Sequence, residues 1–193
     1  MKQKKSIYEK IVKRILDFVL ALFALIILGP IILVVWCLVK IKLGSPAIFV
    51  QERPGKDGKV FKLYKFRTMT DERNENGELL PDEVRLTKFG KALRSTSLDE
   101  LPELFNVFKG DMSLVGPRPP IPTEVMQYNE YQFKRLSVKP GITCIWQVSG
   151  RNDIDFDEWV ELDLKYIRER SILLDLKLIF MTIPALLGDK HAS

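Results

Sequence analysis

Residues 15–39 read ILDFVLALFALIILGPIILVVWCLV, an apolar run of 25 residues whose single charge is Asp17. A helix of this length can cross the roughly 30 Å hydrocarbon core of a bilayer. Gly29-Pro30 stands near its middle. Proline lacks a backbone donor and clashes with the preceding helical turn, so the sequence predicts a break at Gly29 and Pro30. Each half, of about 10–14 residues, is too short to cross alone.

Basic residues flank both ends of this run. They are Lys2, Lys4, Lys5, Lys10, Lys13 and Arg14 before it, and Lys40 and Lys42 after it. A spanning helix usually carries its excess of lysine and arginine on one side. The sequence therefore favours a re-entrant helix–break–helix hairpin with both ends on the cytoplasmic face. The alternative is an ordinary transmembrane helix with a tolerated kink.

The whole chain has 193 residues and a formal net charge of +5, which favours anionic partners. The two cysteines, Cys37 and Cys144, are far apart in sequence and do not suggest a disulfide framework. The one histidine, His191, lies in the tail, so we expect chemistry without a histidine base or a histidine-rich metal site. We expect two parts: residues 1–43, the basic segment and re-entrant membrane helix, and residues 44–193, a cytosolic or interfacial domain that would carry any chemistry.

Local sequence patterns predict individual strands and helices in the second part, and most of these elements are helices. Residues 47–53 and 59–69 alternate around a Pro-Gly turn and predict a β-hairpin. Residues 70–83 predict a surface loop. Residues 84–95 predict a basic amphipathic helix, whose basic face is either simply solvated or directed toward anionic headgroups or a phosphate. Further helices are predicted at 123–136, 157–170 and 171–187, the last being interfacial or part of the core.

The adjacent acids Asp99 and Glu100 are the catalytic candidates. Ser97 and Glu100 have the spacing of a capping box, and Pro102 fits a first helical turn. The sequence therefore predicts that Asp99 lies at the positive end of a helix, where carboxylates and phosphates are both stabilised. The plainer interpretation is that both acids are only favourable residues for the start of a helix.

Arginines in stiff or turning segments are the candidates for phosphate binding. Arg118 stands between Pro117 and Pro119, and Arg151 lies in the turn Gly150-Arg151-Asn152. The planar guanidinium suits phosphate. The alternatives are that the Pro-Arg-Pro run is only a structural turn, and that Arg151 pairs with an acid such as Asp153 or Asp155.

Several segments together carry a resemblance to a known family. In chain order they are Arg14-Ile15-Leu16-Asp17, the apolar run with its proline, Gln51-Glu52-Arg53-Pro54-Gly55, Lys65-Phe66-Arg67-Thr68-Met69, Leu93 to Pro102, Gly110 to Pro119, Lys139-Pro140-Gly141-Ile142-Thr143 and Gly150-Arg151-Asn152. Their number and order make the chain similar to the bacterial sugar transferases. Within that family it resembles the small monotopic phosphoglycosyl transferases.

The resemblance implies a function and a fold. The expected reaction transfers a sugar 1-phosphate from a UDP-sugar to undecaprenyl phosphate and releases UMP, as the first membrane step of bacterial glycan assembly. The expected fold has a re-entrant membrane helix, interfacial amphipathic helices and a small cytosolic α/β part. The expected location is the cytoplasmic face of the bacterial inner membrane, where other enzymes of the glycan pathway are further possible partners.

The resemblance also implies roles for individual residues. Asp99 would be the nucleophile that forms a phosphosugar-aspartyl intermediate, and would lie near or bind Mg²⁺. Glu100 would assist the acceptor phosphate or the metal. The candidates for holding substrate phosphates are Arg94, Arg118 with Pro117 and Pro119, Arg151, and more weakly Lys65 and Arg67.

One departure and two other classes of function bear on this interpretation. Small relatives often have Ser-Pro where this chain has Gly29-Pro30, so the bend is expected without a hydroxyl to bond the freed carbonyl. A non-catalytic membrane adaptor that binds anionic lipids would need Arg85, Lys88 and Lys91 but not Asp99. A nucleic-acid binder is disfavoured, because acids are interleaved with the basic residues and an apolar anchor is present.

Overall fold

A computed structural model describes residues 8–149 and 155–188. A π-helical turn, Tyr8–Val12, leads into the first α-helix, and single 3₁₀ turns lie at Lys56–Gly58, Leu98–Glu100 and Lys134–Ser137. The other elements, in chain order, are α1 (Lys13–Leu43), β1 (Ile48–Pro54), β2 (Val60–Phe66), α2 (Asp82–Arg85), α3 (Lys88–Ser95), α4 (Glu103–Lys109), β3 (Ser113–Val115), α5 (Pro122–Val125), α6 (Glu130–Phe133), β4 (Gly141–Thr143), α7 (Ile145–Val148), α8 (Phe156–Glu169) and α9 (Ile172–Gly188).

The long helix α1 is continuous from Lys13 to Leu43 and contains Pro30. The predicted division into two half-helices at Gly29 and Pro30 is therefore not observed. Proline removes only one donor from the ladder, so the flanking turns can carry the helix through it. A re-entrant path would need a bend within this helix. By length and composition, α1 is the one helix among the described residues that could cross a membrane.

Both ends of α1 pack on the same globular body. Ala21, near the start, joins Leu63, Val107 and Met112 in one buried cluster. Val35 and Val39, near the end, join Phe66 and Leu93 in another. Residues 22–34 between these contacts include no buried residue and expose large apolar side chains, such as those of Phe23, Ile26 and Leu33. The middle of the helix thus projects apolar surface while its ends belong to the protein core.

Polar contacts fix the start of α1 to the body. Arg14 donates to the backbone carbonyls of Val107 (2.8 Å) and Phe108 (2.9 Å), at the C-terminal end of α4. A cation is favourable there because the last carbonyls of a helix lack helical donors. Asp17 is buried and accepts from the backbone N–H of Leu114 at 3.1 Å. Helix α1 is thereby connected to α4, which precedes residues 110–112, and to β3, which follows them.

Two small sheets organise the body. In the predicted hairpin, β1 pairs antiparallel with β2, from Ile48 opposite Phe66 to Pro54 opposite Val60. The sequence does not predict the second sheet, in which β3 and β4 run parallel, with Ser113 opposite Gly141. A Cβ on Gly141 would lie 2.1 Å from the backbone nitrogen of Gly116, so this close approach requires glycine.

Some predicted helices are shorter or divided in the structure. Residues 84–95 belong to α2 and α3, separated at Leu86 and Thr87, and residues 123–136 form α5, α6 and a 3₁₀ turn. Helices α8 and α9 match the predicted 157–170 and 171–187 within one residue at each end. On α9, Asp175 and Leu178 are buried whereas Leu173 and Phe180 are exposed. One side of α9 therefore belongs to the core and the other presents apolar surface.

Replacing Arg135 by leucine is expected to destabilise the fold by about 3–5 kcal/mol, because it leaves the buried carboxylate of Asp163 without its partner. Arg135 donates to Asp163 at 2.8 Å, and its guanidinium lies 4.3 Å from the centre of the Trp159 ring. Chemical denaturation in detergent measures the effect. The double variant Arg135→Leu, Asp163→Leu is expected to recover most of the loss, and a double variant as unstable as the single one would contradict this account.

Candidate active site

The site is built where the end of β2 meets the 3₁₀ turn Leu98–Glu100. Lys65, on β2, donates to Glu100 Oε1 at 2.7 Å and lies 3.2 Å from Glu103 Oε1. Glu103, at the start of α4, is 3 % exposed. Its pKa is raised by burial and by the neighbouring Glu100, while Lys65 acts in the opposite direction. Lys65 thus contacts two carboxyl groups, that of Glu100 in the turn that carries Asp99 and that of Glu103 at the start of α4.

Asp99 is mostly removed from solvent, with 9 % of its surface exposed. Burial, together with the charge of Glu100, raises the pKa of its carboxyl to about 6. Lys65 and Arg94 oppose that rise because each stabilises the ionised form. The carboxylate is therefore weakly solvated and faced by cations, which suits a group that reacts with phosphorus.

The backbone around Asp99 differs from the predicted capping box. Ser97 has a φ of 51°, in the left-handed region that L-residues rarely occupy, and its side chain caps no helix. Glu100 instead bonds to Lys65. Helix α4 begins only at Glu103, with Pro102 at its N-cap. Asp99 consequently lies in a separate short turn and not in the first turn of an α-helix.

Arg94 reaches the site because α3 packs closely against the chain that follows β2. Its Nε donates to Thr68 Oγ1 at 3.1 Å. Gly90, one turn earlier on α3, makes this approach possible, since a Cβ there would lie 1.8 Å from the carbonyl oxygen of Thr68. The position of the Arg94 guanidinium therefore depends on a glycine that the sequence analysis did not single out.

Arg118 reaches the site from the Pro-Arg-Pro run. Its Nη1 lies 3.9 Å from Glu100 Oε1. Pro117 and Pro119 are buried and contact the body through their backbone. The carbonyl of Pro117 accepts from the N–H of Gly141 at 2.9 Å, and that of Pro119 from Arg53 at 3.1 Å. The backbone contacts of the two prolines thus hold Arg118 in place beside the site.

A cavity of about 590 Å³ unites most of the predicted residues. Its lining includes Lys65, Arg67, Arg94, Asp99, Glu100 and Arg118. Arg67 also pairs with Asp71 at 2.5 Å. Arg151 lies outside the described residues. Gly29 and Pro30, on α1, are not part of the cavity lining.

Sequence reasoning missed several residues of this site. Arg53, Gln51, Thr68 and Arg85 line the same cavity. Arg53 is held by Gln51 Oε1 at 2.7 Å, and its pKa is lowered by burial and by the positive charge of Arg118. The sequence feature that could have indicated Arg53 is a positively charged residue in a strand of alternating apolar and polar side chains. Because the guanidinium groups of Arg53 and Arg118 repel each other, an anionic ligand bound near both would be favourable.

The donor groups fit a metal ion only when a substrate brings further ligands. Within residues 8–149 and 155–188, no three histidine, cysteine or acidic side chains are arranged to hold a metal. Glu100 and Glu103 both contact Lys65, so Asp99 is the candidate metal ligand among these three carboxyl groups. Protein sites commonly bind Mg²⁺ through one or two carboxylates, substrate phosphates and water. These residues are compatible with a magnesium ion that arrives with a diphosphate.

A long apolar helix, joined to a body whose cavity combines a desolvated carboxylate with several cations, defines a membrane protein suited to phosphate-bearing substrates. Comparison with known proteins then gives the family. The model of the family described as bacterial sugar transferase matches residues 8–189. The chain belongs to this family, as its motifs indicate, and is a phosphoglycosyl transferase. The interpretation as a non-catalytic adaptor is therefore not retained.

Curated relatives agree with this assignment. The "Uncharacterized sugar transferase EpsL" of Bacillus subtilis is 52% identical over 173 residues, which cover 90% of this chain and 86% of the relative. The "UDP-glucose:undecaprenyl-phosphate glucose-1-phosphate transferase" of Klebsiella pneumoniae is 45% identical, over 89% of this chain and 39% of its own. The "Undecaprenyl-phosphate galactose phosphotransferase" of Salmonella typhimurium is 40% identical, over 93% and 41%. This chain thus spans about two fifths of the latter two proteins.

Proposed function

We propose that this protein transfers a sugar 1-phosphate from a UDP-sugar to undecaprenyl phosphate and releases UMP, as a first membrane step of bacterial glycan assembly. The observation that carries the proposal is the desolvated carboxylate of Asp99 in a cavity lined by Lys65, Arg67, Arg94 and Arg118. Two relatives are named for undecaprenyl-phosphate sugar phosphate transfer, one of them from UDP-glucose, which supports the substrates.

The proposed reaction has two displacements at one phosphorus. A carboxylate oxygen of Asp99 attacks the phosphorus that bears the sugar. An Asp–O–P bond forms and the bond to the UMP oxygen breaks, so UMP leaves with that electron pair. An oxygen of undecaprenyl phosphate then attacks the same phosphorus, and the aspartate leaves as a carboxylate. The products are UMP and an undecaprenyl diphosphate sugar.

The cations of the cavity would stabilise the charge of this reaction. Arg94 and Arg118 would bind the diphosphate, and charge stabilisation of this kind dominates catalysis of phosphoryl transfer. Glu100 would hold Lys65 and Arg118 in position through its contacts with both. Mg²⁺, held by Asp99 and the substrate diphosphate, would supply further positive charge when bound.

We also propose that α1 bends near Pro30, so that this helix enters the cytoplasmic leaflet and returns, and the protein is monotopic at the bacterial inner membrane. If α1 spanned the bilayer, one of its ends would lie on the far side from the body. Ala21 and Val39 both contact the body, and the surface between them is apolar and exposed. The exposed apolar residues of α9, Leu173 and Phe180, support an interfacial position for that helix.

The experiment that tests the function exposes the purified protein to Mg²⁺ and a panel of UDP-sugars. The panel includes galactose, glucose and N-acetylated amino sugars. Intact-protein mass and UMP release are measured without acceptor. A sugar-phosphate adduct with equimolar UMP supports the mechanism and identifies the sugar. UMP release that requires undecaprenyl phosphate and leaves no adduct would replace the covalent mechanism by direct transfer. If no donor gave an adduct or UMP, with or without the acceptor, the proposed function would be overturned.

Adduct formation is expected to rise with pH through about 6 and to level off above it. The nucleophile must be ionised, and the pKa of Asp99 is raised to about 6. The rate at low UDP-sugar concentration reports the free enzyme. In Lys65→Met the midpoint is expected at higher pH, because the ammonium group of Lys65 stabilises the carboxylate. Lys59→Met, at an exposed lysine, serves as the control, and a rate independent of pH between 5 and 8 would contradict the assignment.

A further inference from the structure

A second cavity, of about 290 Å³, lies at the N-terminal end of α1 and shares no lining residue with the candidate active site. One acidic side chain, that of Asp17, lines it. Its basic side chains come from four separate parts of the chain: Lys13, Arg14, Lys56, Lys139 and Arg170. The fold thus gathers an excess of positive charge at a place that the proposed reaction does not use.

Carboxylates neutralise only part of this charge. Lys13 pairs with Asp17 at 3.1 Å and with Asp175 at 2.5 Å. Arg14 is bonded to backbone carbonyls, which carry no net charge. Across the described part of the chain, no ion pair joins a carboxylate to Arg14, Lys56 or Lys139. Three positive charges therefore face the cavity without an anionic partner from the protein.

Lys139 shows that this arrangement is electrostatically unfavourable without a bound anion. It is half-buried, and its pKa is lowered, first by burial and then by the positive charge of Arg14; Asp17 opposes this shift, Lys56 adds to it and Asp111 opposes it least. Its ammonium group is thus partly stripped of water and repelled by neighbouring cations. An anion in the cavity would remove the repulsion and restore the lost solvation.

The position of the cavity indicates where that anion lies. Lys13 and Arg14 follow directly on Ile11 and Val12 and precede Ile15, and these three apolar side chains are exposed. The cavity is therefore at the level where the apolar helix meets the polar body. The phosphate groups of a bilayer lie at the corresponding level between hydrocarbon and water.

We propose that this cavity binds a phosphate group, either from the headgroup of a membrane lipid or as free phosphate, and that the bound phosphate joins the start of α1 to the loops of Lys56 and Lys139. Tetrahedral phosphate accepts several charge-assisted hydrogen bonds at once, which suits converging lysine and arginine side chains. The inference concerns binding alone and does not depend on the proposed transferase reaction.

Thermal unfolding of the detergent-solubilised full chain tests the site. The probes are inorganic phosphate and a short-chain phosphatidylglycerol below its micelle concentration, with sodium chloride at matched ionic strength as the reference. At least one of the two probes is expected to raise the unfolding midpoint by about 3 °C or more at saturation. A rise with the lipid alone assigns the site to a headgroup, whereas an equal rise with inorganic phosphate assigns it to the free ion.

Variants separate this site from the active site, which also attracts phosphate. The rise is expected to be lost in Lys139→Gln and kept in Lys139→Arg, in Lys59→Gln and in the active-site variant Arg94→Gln. Lys139→Arg keeps the charge, so it tests the site even if Lys139→Gln folds poorly. No rise in the unmodified protein with either probe, or an equal rise in Lys139→Gln, would overturn the proposal.

Discussion

Replacement of Asp99 by asparagine is expected to lower sugar-phosphate transfer by about three orders of magnitude or more and to abolish the covalent adduct. Asparagine has nearly the same shape, but its amide oxygen carries no negative charge with which to attack phosphorus. The measurements are UMP release with the preferred UDP-sugar and intact-protein mass after the same incubation.

Asp57→Asn is the matched control for this substitution. Asp57 is exposed, lies outside the cavity lining and has a left-handed backbone that asparagine also tolerates. It is expected to retain full activity and to form the adduct. An adduct on Asp99→Asn would assign the nucleophile to another residue, and unchanged turnover in that variant would exclude the aspartyl intermediate.

Replacement of Gly90 by alanine is expected to destabilise the protein by about 1–3 kcal/mol and to lower activity by roughly 100-fold. The new Cβ would lie 1.8 Å from the carbonyl oxygen of Thr68, so α3 must move away from the end of β2. Arg94 would move with it and lose its hydrogen bond to Thr68 Oγ1. Thermal unfolding and UMP release measure the two effects separately.

Ala92→Ser is the control, because it adds one heavy atom to the same helix at an exposed position. Serine inside a helix costs only about 0.5 kcal/mol relative to alanine, so this variant is expected to keep nearly full stability and activity. If Gly90→Ala behaved like Ala92→Ser in both measurements, the close packing of α3 would not be what positions Arg94.

Local sequence patterns predicted the elements that depend on neighbouring residues. Strict alternation around a Pro-Gly turn indicates β1 and β2, because strand periodicity and turn chemistry agree there. The apolar periodicity of α8 and α9 is equally local. The family motifs singled out several site candidates from separate elements. In the structure six of them line one cavity: Lys65, Arg67, Arg94, Asp99, Glu100 and Arg118.

Features that depend on tertiary packing were not predicted. The parallel pairing of β3 with β4 joins three-residue strands that are distant in sequence, and such strands leave almost no periodic signal. The left-handed backbone of Ser97 replaces the expected capping box, because Glu100 is held by Lys65 and not by the helix start. The burial of Glu103 follows from the packing of α4, and spacing alone does not reveal it.

The packing of α1 also determines how this protein can be handled in the laboratory. Ala21, Val35 and Val39 are core residues, and Arg14 and Asp17 bond to the backbone of the body. Deleting residues 1–43 to obtain a water-soluble enzyme would therefore open the two hydrophobic clusters to which α1 contributes and remove the partners of those backbone groups. A soluble version should instead keep α1 and replace exposed apolar residues of its middle, such as Phe23, Ile26 and Leu33, with polar ones.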